Sequence, residues 1–295
     1  MRVNPNYMPD LLAALNQTQL ATQNAELEIA SGRSVNQPSD NPGAAALLVE
    51  NNDQATFNSG YLQSLSSVQG QLSAGDSTLS SVVTALQRAI SLGVEGANGT
   101  LSDSDRAAIA DELQGIQSQL VSLANTAYQG RYIFAGTKTN TAPYVVDNTV
   151  PSGVRYVGNS GVNQVSIGNG YKLTVNKPGS QLFSAPGNDV FLAINNLIQA
   201  LQTNTGIDTA VSSVSAAYSY LSGQRVFYGN AMNQAQSETT YLNTAKLQIS
   251  QQENTLGGAD LATAATNLTQ LETDSQATLA AISKYSQMNL FDYLQ

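Results

Sequence analysis

An unbroken 3-4 spacing of mainly apolar residues runs from Ile207 to Leu256, a span of 50 residues. Such a spacing places its side chains on one face of an α-helix. At about 1.5 Å per residue, this helix would be about 75 Å long. A compact chain of this size has a radius of gyration of only about 19 Å. The pattern therefore predicts an elongated molecule built on long helices.

A second long helix is predicted for residues 42–92, with a turn at 93–99. Ser102, followed by Asp105, resembles a capping box and predicts the start of a third helix antiparallel to the second. The first core-facing positions of the second helix are occupied by polar residues, namely Asn51, Gln54 and Asn58. This predicts looser packing or polar partners there. Heptad positions follow at Tyr61, Leu65, Val68, Leu72, Gly75, Leu79, Val82, Leu86 and Ala89.

The periodicity changes after Gly130. Short alternating runs bounded by turn residues predict strands at 153–157, 162–167 and 171–175, and a helix follows at 189–203. The predicted fold class is mainly α with a β-rich insert: an elongated antiparallel long-helix bundle or coiled-coil rod, with a small β insertion domain and terminal amphipathic helices. The predicted domains are 1–41 (N-terminal assembly helix and loop), 42–130 (first half of the rod), 131–206 (outer β-rich insertion), 207–256 (second half of the rod) and 257–295 (C-terminal assembly helix).

Both ends of the chain carry slender amphipathic helices. The first has one face formed by Met8, Leu11, Leu15, Thr18, Thr22, Ala25 and Ile29, and a second stripe about 180° away formed by Ala13, Leu20 and Leu27. Two opposite stripes need neighbours on both sides, either in a layered tube or in the interior of a single-chain bundle. A final helix begins with Asp260 as its cap. Neither helix buries enough apolar surface to offset chain entropy, so we expect both to be mobile in the free chain and ordered by assembly.

Composition narrows the possible functions. Charged residues make up 11% of the chain, against about 25% in typical soluble domains. Such a surface suits packing against copies of the same chain, although a secreted protein with a polar coat has the same composition. The net charge is -9 and the 12 basic residues are scattered, so nucleic acid is not an expected partner. No apolar run approaches about 18 residues, so no membrane span is expected.

The chain contains neither cysteine nor histidine. This removes zinc sites of the usual ligands, haem attachment, cysteine nucleophiles and the Ser-His-Asp triad. We expect no catalytic, cofactor or metal site. The alternative from another class is a secreted enzyme with coiled-coil arms. Its only acid-base candidates in the insert would be Asp147, Tyr171 and Asp189.

Two motifs at opposite ends resemble the bacterial flagellin family. Residues 27–42 match its LxxxSGxxxNxxxDxP pattern, and residues 260–268 and 287–294 look like its paired C-terminal motif. A single motif would be weak, whereas both in the correct places are a strong signal. Ser34 and Val35 replace the more usual Lys/Arg-Ile step. The opening Met1-Arg-Val, the run Gly130–Gly136 and the ending Leu290–Leu294 resemble the junction branch of the family rather than its filament flagellins.

This resemblance implies a structural subunit of the flagellum between the hook, with hook-associated protein 1, and the flagellin filament. It also implies assembly with further copies, export through the flagellar type III apparatus without a cleaved signal, and an export chaperone on the C-terminal helix. We expect an extracellular location, and no Sec-type signal is visible. A short filament flagellin is the alternative.

Pairing of the terminal helices is expected to build the assembly. Arg33 and Asp40 either form ion pairs between copies or are solvated loop charges. The expected assembly residues are Leu11, Leu15, Leu20, Leu27, Ile29, Arg33, Asp40, Leu261, Leu268, Leu271, Leu279, Ile282, Leu290 and Phe291.

Overall fold

The computed structural model describes residues 7–293, and the side chains of residues 8–285. Within these residues the helices are α1 (Tyr7–Ser31), α2 (Pro42–Gly96), α3 (Asp103–Ala124), α4 (Gly179–Leu182), α5 (Val190–Thr203), α6 (Ile207–Gly257) and α7 (Leu261–Tyr293). Four antiparallel strand pairs lie between α3 and α5: β1 (Ala127–Tyr128) with β2 (Arg131–Tyr132), β3 (Tyr144–Val146) with β4 (Val154–Tyr156), β5 (Gln164–Ser166) with β6 (Lys172–Thr174), and β7 (Ser184–Ala185) with β8 (Asn188–Asp189). The mainly α fold with a β-rich insert is confirmed.

The chain divides into two compact units. One consists of Met1–Phe57 with Thr244–Gln295, and the other of Asn58–Asn243. The first unit contains both terminal helices, and the second contains the β-rich insert.

In the second unit, α2 and α6 pack as an antiparallel pair. Gln69 on α2 donates to Thr239 Oγ1 at 3.3 Å, and Gln87 donates to the Tyr218 hydroxyl at 2.9 Å. Positions therefore rise along one helix as they fall along the other. The predicted heptad is confirmed, since all its members are buried except Tyr61, which is half-buried.

The predicted turn at 93–99 begins too early. Helix α2 continues to Gly96, and both Gly93 and Gly96 are buried within it. A Cβ at Gly93 would lie 2.6 Å from Val211 Cγ2, and one at Gly96 would overlap Leu201. These glycines allow neighbouring helices to approach closely, and they do not break α2.

The capping box at the start of α3 is confirmed. The Asp105 amide donates to Ser102 Oγ at 3.2 Å, and the Ser102 amide donates to the Asp105 carboxylate at 3.2 Å. The same pairing of side chain and amide satisfies two helix-end donors that would otherwise have no partner.

The insert is held by an aromatic core and by buried amides rather than by one continuous sheet. Phe134 and Phe183 pack edge to face with ring centroids 5.1 Å apart. Asn176 is buried; its Oδ1 accepts from the Asn163 amide at 2.6 Å, and its Nδ2 donates to the Gly136 carbonyl at 3.3 Å. Gly136 has a φ of +70° and no room for a Cβ against Asn159. These contacts join strands of only two or three residues.

Candidate assembly interface

The N-terminal helix α1 packs along the C-terminal helix α7. The half-buried or buried positions of α1 recur at the predicted 3-4 spacing, from Met8 to Ile29, and those of α7 recur from Ala264 to Tyr285. The predicted pairing of the two ends of the chain is therefore present within a single copy. Six predicted assembly residues lie on these half-buried faces: Leu11, Leu15, Ile29, Leu268, Leu271 and Ile282.

This helix pair has very little buried core. Among residues 8–31 and 261–285, only Ala25 and Ala264 are buried, at 7% and 3% exposure. Ordering a residue costs about 1 to 2 kcal/mol of backbone entropy, and packing of half-exposed side chains offsets little of it. The pair thus gains far less from its own packing than the bundle of the second unit does.

Several leucines of the pair stay about half-exposed or more among the residues that the structure describes. Four of them are predicted assembly residues: Leu20, Leu27, Leu261 and Leu279 are 62%, 47%, 52% and 50% exposed. Leu12 is similarly exposed, at 48%, and was not predicted from the sequence as an assembly residue. We call these five leucines the outer stripe. The side chains of two further predicted assembly residues, Leu290 and Phe291, lie outside the described residues.

A backbone clasp joins the loop after α1 to the turn before α7. The Ser34 amide donates to the Gly257 carbonyl at 2.8 Å, and the Ala259 amide donates to the Gly32 carbonyl at 3.1 Å. Gly32 has a φ of +67°, which other residues adopt only with strain. Gly32 of the N-terminal motif and Gly257 at the end of α6 thus take part in one junction between the two ends of the chain.

The two charged loop residues have different roles. The Asp40 carboxylate accepts from the amides of Asn36 and Gln37, at 3.0 and 2.8 Å, so it closes its own loop. Asn41 caps α2 by accepting from the Ala44 amide at 3.1 Å. The Arg33 side chain is exposed and forms no ion pair with any residue the structure describes. Together with Glu253 it lines a groove of about 610 Å³.

The polar seam predicted at the start of α2 is present in part, since Asn51 is buried and Asn58 is half-buried, whereas Gln54 is exposed. Asn51 is 7% exposed, and its Nδ2 has no hydrogen-bond partner among the described residues. It lines a groove of about 680 Å³ together with Gln248, Gln251 and Gln252 of α6. Packing is accordingly looser here than in the leucine-rich part of the heptad.

Two of the three residues of the enzyme alternative have structural roles, and the third is exposed. The pKa of Asp147 is lowered by hydrogen bonds from Thr149 and by Arg155, so its carboxylate is held ionised. Asp189 caps α5 by accepting from the Leu192 amide at 2.9 Å. Tyr171 is exposed, with its hydroxyl 3.5 Å from Gln234 Oε1. Among the helices of the described region, none is long and apolar enough to cross a membrane.

Two terminal helices that pair with each other, with several leucines left about half-exposed among the described residues, define a class of helical protein whose chain ends form one helix pair. Comparison with known proteins agrees with this class. Residues 3–139 match the bacterial flagellin N-terminal helical region, and residues 205–294 match the bacterial flagellin C-terminal helical region.

Curated relatives narrow the class. The chain is 33% identical over 218 residues to flagellar hook-associated protein 3 of Salmonella typhimurium, covering 69% of this chain and 67% of that protein. It is also 33% identical over 204 residues to the Escherichia coli protein of the same name, covering 64% of this chain and 63% of the relative. The fold resembles that of a flagellar hook-associated protein from Vibrio parahaemolyticus, with a TM-score of 0.68, 22% identity, and coverage of 74% of this chain and 99% of that one.

The chain therefore belongs to the bacterial flagellin family, in the group of flagellar hook-associated protein 3. This is a family of structural proteins of the flagellum and not a family of enzymes.

Proposed function

We propose that this chain forms the junction between the hook and the flagellin filament, with hook-associated protein 1 on one side and flagellin on the other. The observation that carries the proposal is the outer stripe on the paired terminal helices. Its leucines remain about half-exposed or more after α1 and α7 have packed together. Exposed apolar surface of this kind is removed from water when a neighbouring subunit covers it.

Contacts between copies in this proposal are heterologous. One face of α1 packs against α7 of the same copy, and the opposite face contacts a neighbouring copy. The two surfaces that meet between copies are therefore different. Contacts of this head-to-tail class close into rings or continue as helical lattices. With such contacts, the side of a subunit that faces the hook and the side that faces the filament can bind different proteins. Hook, junction and filament subunits can then share one lattice.

Low surface charge favours this arrangement. Only 11% of the residues are charged, so few ions must be desolvated when copies pack together. Arg33 is the exception in the loop, because its guanidinium has no carboxylate partner within the described region. We assign it an ion pair with a neighbouring copy. Asp40 is assigned to closing its own loop.

Export through the flagellar type III apparatus, with a chaperone on α7 beforehand, belongs to the same proposal. A helix whose packing leaves Leu261 and Leu279 half-exposed offers an apolar surface that a chaperone can cover before assembly. The absence of cysteine is compatible with passage between reducing and oxidising compartments without cross-linking.

Deletion of the gene and labelling of isolated flagella test the proposal. Deletion is expected to leave hooks without filaments while flagellin is released into the medium, and antibody against this chain is expected to label one narrow band at the end of the hook. Label along the whole filament would instead identify a short filament flagellin and contradict the junction assignment.

A further inference from the structure

A polar groove in the second unit lies between two β-hairpins and α2. The hairpin β1–β2 forms one wall, the hairpin β5–β6 forms the other, and α2 lies beneath them. Its volume of about 670 Å³ falls within the range of small-ligand sites, which is about 300 to 1,000 Å³. We call it the hairpin groove.

Many polar side chains of the hairpin groove have no bonding partner in the protein. Tyr128, Arg131, Tyr132 and Gln164 make no side-chain hydrogen bond to any residue of the described region. The two tyrosines are half-buried, and the Tyr128 hydroxyl lies against Gly70 of α2. Floor residues such as Val175 are apolar and buried.

Helix α2 is shaped to hold one of these tyrosines. A Cβ added at Gly70 would overlap the Tyr128 hydroxyl, so the ring rests where α2 has no side chain. The hairpin turn at Gln129 and Gly130 uses positive φ values of 50° and 76°, which gives the tight reversal that brings Tyr128 and Arg131 side by side.

Arg131 is the only charged residue among the described residues that line the hairpin groove, and Glu238 of α6 lies against Gly168 at the turn of the β5–β6 hairpin. The segments that form it, residues 58–75, 126–141 and 160–178, contain no acidic residue. Their charged residues are Arg131, Lys138, Lys172 and Lys177, in a chain of net charge -9. Lys177 already contacts Gln224 and the ring of Phe227. Arg131 forms no ion pair within the described residues, and its side chain is exposed at the groove.

We propose that the hairpin groove binds an acidic oligosaccharide. Sugar rings carry apolar C–H faces that pack on aromatic rings, and hydroxyls that bond to amides and phenols. A uronate carboxylate would pair with the Arg131 guanidinium, which can donate two parallel hydrogen bonds. A protein partner would instead require a larger surface, about 800 Å² per side, with a more apolar centre.

Isothermal titration of the full-length chain with a short oligogalacturonate tests this proposal. A neutral malto-oligosaccharide of the same length and inorganic phosphate serve as comparison probes. Binding is expected for oligogalacturonate only. Arg131→Gln is expected to weaken it about tenfold, as removal of one charge-assisted pair does. Lys246→Gln, which removes a charge from an exposed position on α6, serves as the matched control and should leave binding unchanged.

Four results would overturn the assignment. They are no binding of oligogalacturonate, equal binding of the neutral sugar, equal binding of phosphate, and unchanged affinity in Arg131→Gln. Sedimentation of the same samples adds a fifth. If the chain self-associates and Arg131→Gln abolishes that association, the occupant is a second copy rather than a sugar.

Discussion

Arg225 of α6 and Asp76 of α2 form a bidentate ion pair. Nε and Nη2 each lie 2.9 Å from one carboxylate oxygen, and the side chains are 35% and 27% exposed. The sequence places Arg225 in the apolar seam of α6, where it must either extend outward or meet an acid. It meets an acid, which fixes the alignment of the two long helices at this level.

A double-mutant cycle should detect this pair. We expect Asp76→Ala and Arg225→Ala to show a coupling of about 1 kcal/mol, because a half-exposed pair is partly screened by water. Urea unfolding of the two single variants and the double variant measures it. If the two single effects simply add, the pair does not hold the helices in register.

Gly75 is predicted to tolerate no side chain. A Cβ there would lie 2.5 Å from Cε1 of the buried Tyr228. Gly75→Ala should therefore lower the free energy of unfolding by about 1 to 3 kcal/mol through overpacking. Its unfolding midpoint in urea checks this.

Gly223→Ala is the matched control for Gly75. Gly223 lies in α6, and a Cβ there would meet nothing within 4 Å. It should raise stability by about 0.5 to 1 kcal/mol through helix propensity alone. Equal effects of the two substitutions would show that close approach of α2 and α6 is not what requires Gly75.

Periodicity alone predicted the long helices because each keeps one apolar face over many turns. It failed at Gly93 and Gly96, since a glycine needed for close packing and a glycine needed for a turn look the same in sequence. It placed Leu15 and Leu20 on opposite faces of the first helix but could not tell which face is covered within one copy, because the partner that half-buries Leu15 lies at the other end of the chain. Of the candidate site, the paired faces were predicted, whereas the clasp at Ser34 depends on backbone hydrogen bonds that no side-chain pattern reveals.

The outer stripe should matter to assembly but not to the free subunit. Leu20→Gln combined with Leu27→Gln changes only side chains that are 62% and 47% exposed. We expect unchanged helical circular dichroism and thermal midpoint, and loss of filaments when the variant replaces the natural chain in a deletion strain. Counting filaments per hook measures this.

Leu15→Gln is the inner-face control for the outer stripe. Because Leu15 is half-buried between α1 and α7, this change should reduce helical content in the purified chain as well as assembly. Full restoration of filaments by the Leu20 and Leu27 double variant would contradict the proposed role of the stripe.

Ionisation of the Asp189 carboxyl should lower the stability of the fold at neutral pH, although the side chain caps α5. Burial raises the pKa of Asp189, against the hydrogen bonds from the amides of Leu192 and Phe191. The folded state thus holds the proton more tightly than the unfolded chain, and stability falls as the pH rises from about 3.9 through the raised folded value. Asp189→Asn should be more stable than the natural chain near about pH 7, with the difference vanishing in acid.

Asp260 should behave in the opposite way. Hydrogen bonds from Thr263 and from the Thr263 and Ala262 amides lower its pKa. Its contribution is present above the unfolded pKa and is lost as the pH falls through the lowered folded value. Asp260→Asn should therefore be less stable than the natural chain at neutral pH and equal to it in acid. Thermal unfolding across pH compares the two variants, and the same sign for both would contradict these assignments.

Hydrogen exchange tests most directly whether other subunits complete the terminal helices. The amides of α1 and α7 would be compared between the purified chain and hooks capped with it, with the region of residues 58–243 as the internal reference. We expect at least about hundredfold greater protection of both helices in the assembled state, and little change in the reference region. Strong protection of α1 and α7 in the lone chain, unchanged by assembly, would contradict the account.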